Sequence, residues 1–474
     1  MWDIRCMGNA LTDRIRSGSS HRGLGGMGGM GRLTRWYEVA GLLSLVLAGV
    51  ALFRLGGKLG RDAPASIRTC CRIRAGSDAL MVRRGLWLLM LLFAMVGYAA
   101  PFVPRADDEV LERLPSKPSE PAMREIKGLR ALLLRDPQNL DVAIRLAERY
   151  FEQTGAQGDP RYVGYAQAAL MPWWDLQEPP PRVLVMRATL LQYRHDFTGA
   201  KANLARALER EPANPRAWSQ RAAIHTVQAD YEQARGDCSQ LARHVAELTA
   251  VGCVAYIDGL TGRARQSHDT LSGVLARATD TSAEQKLWVL VRLAEMAWRL
   301  NDAKLAEEHF RRALALDISD GFLLAAYADF LLDYGRPQEV IALLKNRTAA
   351  DSLLLRLALA EQALNVKDAR THQATLADRY AAARLRGDTT HEQEEARFSL
   401  SMLKLPEVAL RLAQSNWQVQ REPRDARVLL DAALALRRPA AAQPVLDWMT
   451  QSHIEDWYLR RGAEQVLAMK RSGT

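Results

Sequence analysis

From about residue 124 to residue 470, apolar side chains recur at three- and four-residue spacing, which predicts helices, and no convincing strand is present. These segments are rich in Ala and Leu and repeat with a period of 34 residues. Counting from Pro181 gives Leu184, Ala188, Leu191, Asp196, Phe197, Ala200, Leu204, Ala207 and Pro212. Starting again at Pro215, with no adjustment of register, gives Trp218, Ala222, Asp230, Tyr231, Ala234 and Ala242. A fixed period of this size marks a solenoid, because each helix pair leaves an apolar face that only the next pair covers. Small residues recur where two antiparallel helices would cross, and bulky ones where the space between them must be filled.

A third copy from Leu287 carries Leu290, Leu293, Ala294, Asp302, Ala306, Phe310 and Ala313, and a fourth from Gly321 carries Leu324, Ala328, Leu331, Gly335 and Leu344. An earlier unit runs from Pro137 through Leu146, Ala147 and Tyr150. Residues 248–281 are degenerate, and residues 351–474 keep the helix-pair rhythm with weak consensus. At these positions the chain resembles the tetratricopeptide-repeat (TPR) family, closely over residues 124–350 and loosely beyond. The resemblance implies an all-α, right-handed superhelical solenoid of antiparallel helix pairs whose concave face binds other proteins or peptides. In the family, fixed positions of the first helix of each pair line that face. Carried over, they give a partner-binding groove of Arg182, Tyr193, Arg216, Trp288, Glu295, Trp298, Arg299, Phe322, Asp329 and Asp333. Trp288 and Trp298 have a second reading, as packing between neighbouring repeats. The Lys and Asn that form the carboxylate clamp of TPR co-chaperones are absent from the corresponding positions. Between the early unit and the strong repeats, Trp173 and Trp174 followed by Pro179, Pro180 and Pro181 read as a stiff connector whose aromatics either staple the two units, the favoured reading, or offer an exposed handle.

The N-terminal hundred residues are of another kind. Residues 81–100 place Arg83 and Arg84 before an apolar stretch from Leu86 to Val96, followed by Gly97, Ala99 and Ala100. That is the order of a secretory signal, with cleavage after Ala99 or Ala100; left uncut, the run extends through Val103 and just spans a membrane. Residues 1–80 form an Arg- and Gly-rich extension with a marginal apolar run, Val39 to Phe53, so two readings stand: Met81 is the true start, or two segments span the membrane. In either case residues 101–123 form a polar linker, and the repeats are expected outside the cytoplasm, periplasmic or anchored at a bacterial inner membrane. Membrane contact is expected only through the N-terminal segments.

Charge narrows the function. The chain carries a net +10, but residues 1–100 hold 14 Lys+Arg against 5 Asp+Glu, leaving 50 against 49 for the rest. The excess flanks apolar runs, where it sets membrane orientation, so nucleic-acid binding by the repeats is not expected. The nine histidines show no metal-ligand spacing, and no phosphate-binding loop or nucleophile elbow occurs, so no cofactor, metal or catalytic residue is assigned. Cys238 and Cys253 fall on successive helices and are either a disulfide or two small core residues. The expectation is a non-enzymatic, protein-binding scaffold facing the periplasm or cell envelope during assembly or export. The alternative is an accessory repeat domain of a two-span membrane protein.

Overall fold

The computed structural model describes residues 121–472. The apolar run at 39–53, the signal-like segment at 81–100 and the linker up to residue 120 lie outside the described residues. Among the described residues there are 21 α-helices and no strand. The first unit comprises α1 (Pro121–Arg135), α2 (Leu140–Gln157), α3 (Arg161–Ala169) and the short α4 (Met171–Trp174). Antiparallel pairs then follow: α5 (Pro181–Tyr193) with α6 (Phe197–Arg210), α7 (Pro215–Val227) with α8 (Tyr231–Leu241), α9 (Glu247–Leu260) with α10 (Ala264–Arg277), and α11 (Ala283–Arg299) with α12 (Ala303–Leu314). Next come α13 (Gly321–Asp333) with α14 (Pro337–Leu344), α15 (Asp351–Ala363) with α16 (Asp368–Leu385), and α17 (Glu392–Ser401) with α18 (Pro406–Val419). The chain ends in α19 (Pro423–Ala435), a 3₁₀ turn (Pro439–Ala442), α20 (Gln443–Gln451) and α21 (Trp457–Ser472). The fold is a TPR-like stack of helix pairs.

Local chemistry explains the boundaries. Pro at the first helical position opens α5, α7, α14, α18 and α19, where its missing N–H and fixed φ are harmless. Side chains of Asn139, Asp196, Asn214, Asp302 and Asp320 accept from backbone N–H groups at the starts of their helices. A capping box between Ser282 and Gln285 starts α11. Each tight turn inside a pair puts one residue in the left-handed region: His195, Ala229, Asn301 and Gly335 occupy the same place in successive repeats.

Ala188, Ala222, Ala294 and Ala328 are all buried at helix crossings, as their repeat positions require. The degenerate unit is a regular pair as well, with its small positions moved. Gly252 and Gly259 stand on one face of α9, and a Cβ there would lie 2.6 Å from the Trp288 ring and 2.8 Å from Met296 Sδ. The next inner helix thus sinks into α9. The connector staples its neighbours: Trp173 is buried in the first core cluster, Arg187 donates to the Trp174 carbonyl at 2.8 Å, and Arg210 donates to the Pro179 carbonyl at 2.7 Å.

Late helices also meet early ones. Gly158, at φ 69°, ends α2 against Ala350 at the start of α15, where a Cβ would come within 2.4 Å. The Arg421 N–H donates to the Val227 carbonyl at 2.7 Å, and the Glu455 N–H to the Leu260 carbonyl at 3.3 Å. Trp448 Nε1 donates to Tyr231 Oη at 3.2 Å. One apolar cluster therefore joins Ala222, Tyr231 and Tyr256 of α7–α9 to Trp417, Trp448 and Leu459 of the last helices. Cys238 and Cys253 lie in this cluster, bonded to each other with their Cα atoms 5.7 Å apart. Among the described residues, no helix is long and apolar enough to cross a membrane.

Candidate functional site

The first helices α11, α13, α15, α17 and α19 face one another, and the start of α21 comes between them. Together they enclose a cavity of about 370 Å³. Its apolar and aromatic lining includes Tyr256, Trp298, Phe322, Leu359 and Trp457. The rest carries charge of both signs, with Arg299, Arg356, Arg397, Arg424 and Arg427 beside Glu295, Asp329, Glu422, Asp431 and Asp456.

Most of these charges are held by partners from other helices. Asp329 accepts from Arg356 Nη2 at 2.6 Å and from Arg397 Nη1 at 2.6 Å, so one carboxylate ties α13 to α15 and α17. Burial by itself would raise the Asp329 pKa, but the two guanidiniums outweigh it and lower it to about 2. Arg427 donates to both Asp333 oxygens, one of them at 2.8 Å, and its guanidinium lies 3.7 Å from the Tyr458 ring centre. Arg292 sits between Tyr256 and Phe322, 4.9 and 4.5 Å from their ring centres, and pairs with Glu295 at 3.0 Å. Asp456 caps α21 through the N–H groups of Tyr458 and Leu459; burial nevertheless pushes its pKa up, as it does for Asp431. Two donors on lining residues, the Trp298 indole N–H and Arg299 Nε, are buried without an acceptor among the described residues.

The groove residues read from the repeat register separate into two sets. Glu295, Trp298, Arg299, Phe322 and Asp329 line the cavity, and Asp333 holds its Arg427. Arg182, Tyr193 and Arg216 do not reach it; they turn to α2, where Arg182 pairs with Asp141, Arg216 with Glu148, and Tyr193 packs edge-on against Phe151. Trp288 is buried against Gly252 and serves packing between repeats, the second of its two readings. Trp298, the other tryptophan with two readings, lines the cavity while its ring meets Phe330 edge-on at 6.1 Å. Most of the lining, 16 of 25 residues, comes from the segment of weak consensus after residue 350. A signal for it was present: counted from Pro423 as from Pro181 and Pro215, Arg424 and Arg427 fall at the second and fifth positions, both groove-lining in the family.

No family model matches the chain, and no curated protein matches it. Among solved structures it is similar to the APC/C hetero-tetramer Cut9–Hcn1, with 15% identity over 66% of this chain and 52% of that one and a TM-score of 0.33. It is similar also to the TPR domain of P58(IPK), with 13% identity, 62% and 99% coverage and a TM-score of 0.21. A human IFIT1 dimer with PPP-AAAA shows 12% identity, 74% and 95% coverage and a TM-score of 0.35. The chain spans about half the length of the first of these. No functional assignment follows from likeness at this level.

Proposed function

We propose that this TPR-like solenoid is a non-enzymatic scaffold that binds a segment of a partner protein at the cavity between α11, α13 and α19. The observation that carries the reading is the convergence of Trp298, Arg299 and Phe322 on one cavity whose lining combines aromatic, apolar and charged side chains. An apolar side chain of that segment fits against Phe322 and Trp298. Aromatic and Arg side chains in a desolvated pocket are the usual anchors of such contacts.

The same reading places the scaffold in the periplasm or at the envelope, during assembly or export of other proteins. Two features support it: the signal-like order of residues 81–100, and the bonded Cys238 and Cys253, since disulfides persist in oxidising compartments. Affinity capture from cells tests binding and place together. The full chain should retain a set of envelope proteins that is lost when Trp298 and Phe322 are both replaced by Ala while the helical circular dichroism is kept. Identical captured sets for the wild type and the variant would remove the cavity from the account, and a set of cytoplasmic proteins would remove the location.

A further inference from the structure

We propose that the exposed face of α1 is a docking surface for an anionic phospholipid bilayer. The folded part of the chain is electrically balanced, yet α1 concentrates Arg124, Lys127, Arg130 and Arg135 within fifteen residues, all exposed. Its one acidic residue, Glu125, points back to α2, where it pairs with Arg145 at 2.6 Å and Arg149 at 3.1 Å. Lys127, Arg130 and Arg135 form no ion pair with any described residue. Spacings of three, seven and eleven residues bring Arg124, Lys127, Leu134 and Arg135 onto one side of the helix. Leu134 stands there 80% exposed. The opposite side of α1 is used for packing, since Ile126 and Leu129 are buried in the first core cluster.

A helix with a spent apolar face, a stripe of cations and an exposed leucine projecting among them matches a lipid surface in charge and depth. The cations meet phosphate headgroups while Leu134 enters the acyl boundary. A protein partner of ordinary composition would leave several of these cations buried without carboxylates. The position along the chain agrees, because the apolar run Leu86–Val96 lies just upstream, separated from α1 only by residues 97–120. Docking of α1 would hold the first unit of the solenoid at the bilayer whether that run is cut or kept.

Hydrogen–deuterium exchange of the full chain on vesicles tests this. Amides of 121–135 should exchange at least roughly tenfold more slowly on vesicles of phosphatidylglycerol and phosphatidylcholine than on phosphatidylcholine alone, an effect of the size expected from a few Lys and Arg at a charged surface. Molar salt, or the pair Lys127→Glu and Arg130→Glu, should abolish the difference, while α16 around the 90% exposed Leu385 stays unchanged throughout. Equal protection on both vesicles would overturn the proposal. So would protection without vesicles that rises with protein concentration, which would mean that a second copy covers the face.

Discussion

Replacing Asp329 by Ala removes the carboxylate that joins three successive inner helices. Its partners are left inside the fold, with the Arg356 side chain 4% and the Arg397 side chain 17% exposed. Breaking a buried ion pair from one side costs about 3–5 kcal/mol, because the remaining charge is desolvated without compensation. Arg356 keeps its bonds to the Ala325 and Ser352 carbonyls, at 3.2 and 2.7 Å, which places the expected loss near the lower end, about 3 kcal/mol. Adding Arg397→Met removes one stranded cation and should return about 1 kcal/mol or more. In a stack whose units contact mainly their neighbours, the loss is local, so urea unfolding is read together with hydrogen exchange at α13, α15 and α17. The pH dependence has a definite sign. The folded pKa is lowered from 3.8 to about 2, so the contribution is present above pH 4 and is lost as pH falls toward 2, about 2 kcal/mol in all. A loss under about 1 kcal/mol for Asp329→Ala, or further destabilisation by Arg397→Met in that background, would refute the reasoning.

His268 and His309 are buried with their Nε2 atoms 3.0 Å apart, and burial, reinforced by His268, lowers His309 from 6.5 to about 4. The unfolded chain then binds the extra proton first, so stability at α10–α12 should fall by up to about 3 kcal/mol between pH 6.5 and pH 4, and His309→Gln should flatten that slope in thermal melts. Gly252→Ala should destabilise by about 1–3 kcal/mol despite the better helix propensity of Ala, because its Cβ meets the Trp288 ring, whereas Gly164→Ala, with nothing within 4 Å, should stabilise by about 0.5–1 kcal/mol in the same melts. Replacing Cys238 and Cys253 by Ser, or reducing them, should cost roughly 3 kcal/mol, and mass measurement of the untreated protein after alkylation should find both thiols blocked.

The helix pairs were legible because each repeat position has one physical job. Ala188, Ala222, Ala294 and Ala328 must be small wherever two helices cross, and the sequence shows it without any neighbour in view. Residues 248–281 read as degenerate for a concrete reason: Gly252 and Gly259 supply the small positions at places set by Trp288 and Met296 of the next repeat. Repeat register also told that Trp298 and Phe322 face inward, but not how deep they lie. Contacts such as Trp448 with Tyr231, or Arg427 with Asp333, join residues far apart in sequence, and no local pattern announces them. The cavity depends on those returns, which is why Arg397 and Tyr458 were missed while Glu295, Arg299 and Asp329 were found; Arg424 was within reach of the register counted from Pro423.

The most direct test of the binding account is a photo-cross-linking residue placed at Phe322 in the full chain and activated in cells. The account predicts adducts to one defined segment of a partner protein, above the yield from the same residue at exposed Leu176 and reduced by Trp298→Ala. Adducts confined to the chain itself, or a yield at Phe322 no greater than at Leu176, would contradict it.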